Sequence, residues 1–372
     1  MLYNKYRPTG FNAVCSQEHV KKILTNQILN DRLMNAYVFT GPAGTGKTTI
    51  ARILASCVNC STGQTVTPDP EDKFASVILS GKCVTDVMER DAASNGGVDD
   101  TRELREAGKF APMEMRKKIY IIDECHALTD QSWQALLKII EEPPPHLMFI
   151  LCTTRIDKVP ETIQTRCMVL DFRPLSMQDV LSQLKLVAKG EKIGMDDEAS
   201  RMIASASRGS VREALTLLEK AIDIVGKDKP VSSKDIAAAI GAAPFSKIRD
   251  FVNAVVRQKF TDAVSSSSEV VGTGTSAEAF LGEVAKYLHH VGVFGAYDLA
   301  SQGYAPQELD DIKNTQEMMK SNVKEWRTVI PEMIYTAQRN AGLTLLNAEP
   351  QFQLNCLYLD FKRILKGKEV AK

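Results

Sequence analysis

Phe39-Thr-Gly-Pro-Ala-Gly-Thr-Gly-Lys-Thr-Thr-Ile50 is the stretch on which the fold turns. It fills every fixed position of a phosphate-binding loop: Gly41, four free residues (Pro42, Ala43, Gly44, Thr45), then Gly46, Lys47 and Thr48, with Thr49 following. Glycines let backbone N–H groups turn inward around a phosphate. Lys47 supplies a point charge to the outer phosphates, and the Thr48 hydroxyl suits Mg²⁺. The flanks agree with that chemistry. Ala36-Tyr-Val-Phe-Thr40 reads as a buried strand. Ile50, Ile53, Leu54, Cys57 and Val58 recur at helical spacing. A strand, a glycine loop and a helix in that order predict a nucleotide site.

Working outward, the first ~175 residues alternate strand and helix patterns, an α/β signature. Strands are predicted at 36–40, 118–122, 147–153 and 168–172, with a weaker one at 84–89. These are short apolar runs without alternation, as parallel strands covered on both faces require. A helical face of Trp133, Leu136, Leu137 and Ile140 stops before Pro143-Pro144-Pro145. After Pro174 the pattern is helical: 176–189, 196–207 and 210–225, with Ser210 as an N-cap, then a loop and a short helix to about 240. Residues 241–244 read as a hinge. The remainder reads as helices broken at 265–268 and 272–276, with a frayed tail at 366–372. The expected fold is therefore a P-loop α/β domain with a parallel five-stranded sheet (1–174), an all-α region (175–241) and a second all-α domain (242–372).

Bulk numbers limit the function. The 372 residues are 44% hydrophobic and 25% charged, ordinary for a globular protein. Lys+Arg and Asp+Glu both total 46, so no global basic field grips nucleic acid, although a local basic face stays open. The N-terminus lacks the apolar core of a signal peptide, and no apolar run approaches the ~20 residues of a membrane helix. The expected compartment is the cytoplasm, where the eight cysteines stay reduced.

A second motif follows the loop. Ile119-Tyr-Ile-Ile-Asp-Glu-Cys-His126 is an apolar strand ending in two acids. Asp123 at the strand tip suits Mg²⁺, opposite Thr48, and Glu124 is placed to polarise an attacking water. Adjacent acids after a strand also suit a helix cap, but the intact loop upstream favours catalysis. His126 reads as a packing or hydrogen-bonding histidine rather than a catalytic one. Thr153 and Thr154 end the 147–153 strand, where a hydroxyl reaches the γ-phosphate or the water.

Lys5-Tyr6-Arg7-Pro8, Phe11-Asn-Ala-Val-Cys-Ser-Gln17, the phosphate loop, Asp91-Ala-Ala-Ser94, Asp123-Glu-Cys-His126, Ala135-Leu-Leu-Lys138, Glu141-Glu-Pro-Pro144, Thr162-Ile-Gln-Thr-Arg-Cys167 and Gly209-Ser-Val-Arg-Glu-Ala-Leu215 follow one another along the chain. In order and spacing this series resembles the bacterial clamp-loader gamma/tau family of AAA+ ATPases over about residues 1–240. The remainder resembles that family's oligomerising collar only in helical content and length. The expected protein is of gamma length, without the tau extension, with bacterial and phage origin both open.

The resemblance implies roles. Tyr6, Arg7, Pro8, Val14 and Gln17 line the pocket for base and sugar. Thr154 matches the sensor 1 position, with Thr153 the lesser candidate. Arg166 matches the arginine finger, acting in trans on a neighbour's ATP, and Arg212 matches sensor 2 on the lid. Arg102, Arg105 and Lys109, at i, i+3 and i+7 after Asp91-Ala-Ala-Ser94, match a DNA-tracking face; a solvated helix face is the plain reading of the same residues. The helix 131–140 is a clamp-contact candidate by position alone. The family's zinc module, Cys-x8-Cys-x2-Cys-x2-Cys, is degraded: Cys60 matches its first ligand, while Pro68-Asp-Pro-Glu-Asp-Lys-Phe74 replaces the rest. Cys57, Cys60 and Cys83 offer no fourth thiol, so ATP and Mg²⁺ are the expected cofactors and zinc is not. The implied function is the ATPase motor of a replicative sliding-clamp loader, in a ring or spiral pentamer with other loader subunits, the clamp and primer-template DNA. Another AAA+ DNA-processing ATPase, such as a branch-migration helicase or replication initiator, is one alternative. A non-hydrolysing scaffold subunit is another, which the complete loop disfavours.

Overall fold

The structure is a computed structural model that describes all residues except 83, 95, 227–228, 242, 273–274, 297–298, 300–303, 305, 343–349 and 367–372. Cys83 and nearly all of the expected frayed tail thus lie outside the described residues. The chain forms two compact units, residues 1–179 with 208–213, and residues 180–207 with 214–372.

The first unit is built on five parallel strands: β1 (Ala36–Thr40), β2 (Val87–Asp91), β3 (Lys118–Asp123), β4 (Leu147–Thr153) and β5 (Met168–Asp171). Their order across the sheet is β2-β3-β4-β1-β5. Side chains of one strand alternate between two cores. Tyr37 and Phe39 join Ile119, Ile121, Met148 and Ile150 on one face. Ala36 and Val38 join Tyr120, Ile122, Leu147 and Phe149 on the other. Both faces are covered, which is why these strands read as unbroken apolar runs. The helix Lys47–Val58 starts directly from the loop and buries nine of its twelve residues. Opposite it, the helix Asp130–Glu141 is capped by Thr129, whose hydroxyl accepts the Ser132 N–H at 3.2 Å.

Two expectations are corrected. The weak strand lies at Val87–Asp91 rather than 84–89. Val84 and Val87 close a turn on each other, and Asp86 within it turns inward to accept the N–H groups of Met113, Glu114 and Met115 at 2.8–3.0 Å. The break expected at 265–268 is absent, because those serines lie inside the helix Phe260–Gly272. Ser267 returns its hydroxyl to the Val264 carbonyl at 3.0 Å and takes a hydrogen bond from Gln351, so tertiary contacts override weak propensity.

The second unit is helical in its described residues. Helices Phe245–Val256, Ala277–Val293, Trp326–Gly342 and Pro350–Leu365 bury one apolar core. Phe251 and Phe280 meet edge-to-face at its centre, 5.3 Å between centroids. Earlier in this unit, Asp196 caps the helix Asp197–Ala206 and also accepts the Ser233 N–H at 3.1 Å, tying the helix Ser233–Ile240 to it.

Candidate active site

The sheet order puts β4 between the strand that feeds the loop and the strand that carries the acids. The C-terminal ends of β1, β4 and β3 therefore present the loop, Thr153-Thr154 and Asp123-Glu124 side by side. This is the edge at which parallel sheets bind ligands.

The loop's backbone demands glycine. Gly41, Gly44 and Gly46 have φ of 136°, 73° and 102°. At Gly41 an added Cβ meets the Phe172 carbonyl oxygen at 2.1 Å. At Gly44 it meets the Ser210 hydroxyl at 2.0 Å and the Arg212 Cβ at 3.1 Å, so residues 208–213 lie directly against the loop. Thr45 ties the loop to itself, donating to the Pro42 carbonyl at 2.8 Å. Pro42 and Ala43 are exposed and Thr49 is half-buried at the helix start. Lys47 is buried, its Nζ donating to the carbonyls of Gly41 and Pro42 at 2.7 and 2.8 Å. Burial pushes its ammonium below the ordinary lysine range; Cys152, Glu124 and Asp123 oppose the shift and Arg212 adds to it.

The acids stand opposite. Thr48 Oγ1 donates to Asp123 Oδ2 at 2.6 Å, so the two residues expected to share a metal touch directly. Glu124 sits at φ 47°, a left-handed conformation that costs a non-glycine residue about 1 kcal/mol or more. Its Oε2 accepts from Thr154 Oγ1 at 3.3 Å and lies 3.3 Å from His126 Nδ1. Thr153 is fully buried; its hydroxyl accepts the Arg155 N–H at 2.9 Å and lies 3.2 Å from the same His126 nitrogen. Of the two threonines, Thr154 is the one that reaches the acid.

Arg212 stacks over the Tyr3 ring at 5.9 Å and is close enough to Lys47 and Arg7 to disfavour their charged forms. Arg7 is held below its usual range by burial, then by Arg52 and Arg212, with Glu89 opposing. Its Nη1 is buried with no hydrogen-bond partner among the described residues. Lys47 and Arg212 against a glycine cradle at a helix N-terminus, with Arg7 and its orphaned donor near Arg212, fit a polyphosphate. A hydroxyl and a carboxylate 2.6 Å apart are hard oxygen ligands that fit Mg²⁺.

The other pocket residues are placed as follows. Tyr6 and Pro8 are half-buried after the first helical turn, and Val14 is in the core beside Phe11. Gln17, also left-handed, is buried. Its amide donates to Arg173 O at 2.7 Å and Thr45 O at 3.5 Å, and accepts the Arg173 N–H. It thus straps the loop to the strand-exit segment. Arg166 is not brought to this loop by any bond: it donates to Thr162 O at 2.7 Å and pairs with Glu141 at 2.9 Å. In the helix Val98–Gly108, Arg102 pairs with Asp99, and Arg105 and Lys109 both pair with Glu106. Lys109 lies one residue past the helix, so the basic face is shorter and more neutralised than its spacing suggested. Cys60 bonds Thr62, while Ser61 and the N–H groups of Phe74 and Ala75 gather on Asp72. Burial pushes the Cys57 thiol up to about 12. Among the described residues no three His, Cys, Asp or Glu side chains gather as a metal site. Sequence reasoning missed Tyr3, and also the Arg52–Glu89 pair at 2.6 and 2.7 Å that braces β2 against the loop helix. Neither carries a local motif that would have flagged it.

Fold and site together define a P-loop protein of the AAA+ class. Residues 16–176 match the family described as DNA polymerase III, delta subunit, and residues 179–227 match the DNA polymerase III clamp loader subunit, ATPase lid domain. The DNA polymerase III subunit gamma of Buchnera aphidicola subsp. Acyrthosiphon pisum is 33% identical over 326 residues, covering 87% of this chain and 90% of that one. The subunit tau of Bacillus subtilis is 37% identical over 287 residues, 77% of this chain and 50% of that one. The structure of the RuvB Holliday junction branch migration motor of Thermotoga maritima aligns with a TM-score of 0.48 at 18% identity, covering 75% of this chain and 91% of that one. The chain belongs to the DNA polymerase III gamma/tau family. It spans about half the length of the tau and gamma/tau relatives it matches. Among the described residues no helix is long and apolar enough to cross a membrane.

Proposed function

We propose that this chain is an ATP-hydrolysing motor subunit of a replicative sliding-clamp loader, which opens the clamp and loads it on primed DNA. The observation that carries the reading is the meeting of Thr48 with Asp123 and of Thr154 with Glu124 at the phosphate loop, in a chain of the gamma/tau family. Thr48 and Asp123 would hold Mg²⁺, which would offset charge on the outer phosphates. Lys47 and the loop N–H groups from Gly41 to Thr49, Pro42 excepted, grip the phosphates. Tyr6, Arg7, Pro8, Val14 and Gln17 wall the base and sugar. Glu124 orients the attacking water and takes its proton, with Thr154 beside it. Arg212 contacts the phosphates of its own site, and Arg166 reaches a neighbour's, stabilising charge in trans. The exposed setting of Arg166 suits that role.

In this reading residues 1–174, 175–241 and 242–372 are the nucleotide-binding domain, the lid and the collar. The partners are other loader subunits in a pentamer, the clamp and primer-template DNA, in bacterial or phage-infected cytoplasm. Zinc has no part: the Asp72 cluster holds the segment that follows Cys60, and metal analysis should find less than about a tenth of an equivalent of zinc. The main test is ATP hydrolysis with and without cognate clamp and primed DNA. The expected result is synergy between the two, with Arg102→Ala plus Arg105→Ala weakening the DNA-stimulated rate several-fold, roughly, and the basal rate little. Hydrolysis indifferent to both clamp and DNA would overturn the loader reading, and equal loss of both rates would remove the DNA role.

A further inference from the structure

His126 touches Glu124 and the buried Thr153 at the end of β4, yet no role above uses it. It stands in the short turn Cys125–Ala127, directly after the acid. The turn is closed by the Ala127 N–H on the Glu124 carbonyl at 2.9 Å, so ring and acid share one rigid frame. A single ring nitrogen, Nδ1, lies 3.3 Å from Glu124 Oε2 and 3.2 Å from Thr153 Oγ1. An imidazole nitrogen has one hydrogen-bonding direction in the ring plane. With a hydrogen it donates to the carboxylate; without one it accepts from the threonine hydroxyl.

Those two partners belong to different machinery. Glu124 directly follows β3, is left-handed at its Cα, and its Oε2 meets Thr154 and His126. Thr153 ends β4, is fully buried, and anchors the Arg155 N–H, so its position follows the segment that carries Thr154. Thr154 itself donates to the same Glu124 oxygen. His126 and Thr154 thus hold one carboxylate oxygen from two sides.

We infer that His126 is a positioning residue for Glu124, its Nδ1 shared between the Glu124 carboxylate and the Thr153 hydroxyl. With Nδ1–H on Glu124, the carboxylate is aimed. With Nδ1 taking the Thr153 hydroxyl, that support is withdrawn, so a shift at the end of β4 is passed to the acid. This rests on the reading of Glu124 as the group that activates water.

The test measures kcat, KM and equilibrium binding of an ATP analogue for the intact chain, wild type against His126→Ala, His126→Asn and His126→Gln, with Glu124→Gln alongside. An asparagine side-chain nitrogen sits where Nδ1 does, while glutamine reaches the Nε2 position. The expected result is a kcat lowered by about 10- to 100-fold in His126→Ala and His126→Gln, affinity within about twofold, and recovery to within about threefold in His126→Asn. If the alanine variant fails to give a cooperative melt, the asparagine–glutamine pair carries the comparison. A kcat unchanged without the ring, or a loss that asparagine does not restore, overturns the proposal. Should Glu124→Gln hydrolyse ATP like the wild type, the assignment of the acid itself fails, and the role of His126 falls with it.

Discussion

The two units bury polar groups under different rules. In the first, Lys47, Asp72, Asp86 and Lys118 are all buried charges. In the second, the buried polar residues described are Ser200, Ser207, Ser266, Ser267, Thr275, Thr315 and Gln316, all neutral. Backbone strain does not divide the same way: among the described non-glycine residues, positive φ occurs at Ser16, Gln17, Asp31, Glu124 and Arg208 in the first unit and at Lys192, Gln258 and Glu325 in the second, where Lys192 and Gln258 follow helix ends. Buried charge and positive φ both cost free energy. In the first unit only Lys47 of these charges lies at the candidate site; Asp72, Asp86 and Lys118 are each met by backbone groups elsewhere in the fold. The second packs an apolar core around the Phe251–Phe280 contact, and its ion pairs, such as Arg249–Asp311 at 2.7 Å, stay outside that core.

That contrast can be broken by experiment, starting with the largest expected effect. Phe280→Ala empties a fully buried aromatic site and should lower the unfolding free energy by about 3–5 kcal/mol in chemical denaturation, with ATP-analogue affinity unchanged. Lys47→Ala should do the reverse: turnover falls roughly 10²–10³-fold, with little change in the denaturation midpoint. If both variants lose stability and activity together, the division of labour is wrong. Asp86→Asn should cost about 1–3 kcal/mol, since a buried carboxylate gathers three consecutive amides. Burial alone would push the Asp86 carboxyl up. The amides of Glu114, Met113 and Met115, with Lys118 near, outweigh burial and hold it below the ordinary range. A depressed folded-state value means that the stabilisation is full above the unfolded value near 4 and fades as pH falls through the folded one. The gap between wild type and Asp86→Asn should therefore narrow below about pH 4 in acid denaturation. A gap constant with pH would count against the ionised carboxylate as its source.

Much of the first unit was legible because its signals are local. A phosphate loop needs glycines at set positions, and a strand covered on both faces needs an unbroken apolar run. Asp123 and Glu124 could be named because they close such a run, while Thr154 was preferred over Thr153 only through the family resemblance. Their mutual contacts could not, since they depend on β4 lying between β1 and β3, and no spacing along the chain encodes strand order. Gln17 was expected to line a pocket; that its side chain also straps the loop to Arg173, 156 residues away, is a long-range contact with no local signal. Asp86 was hidden inside a stretch read as apolar strand, because its partners at 113–115 come from a distant turn. The serines at 265–268 misled for the opposite reason. Their weak helix propensity is local, and the burial that overrides it is not.

The left-handed backbone at Glu124 has a consequence for how this protein could change over time. Glycine or asparagine would relax that position, so the conformational preference of residue 124 runs against its chemistry. A population of variants screened for folded yield alone should drift away from glutamate there. One screened for turnover should hold it. Position 124 would then record which of the two demands a lineage, natural or laboratory-made, had most recently faced.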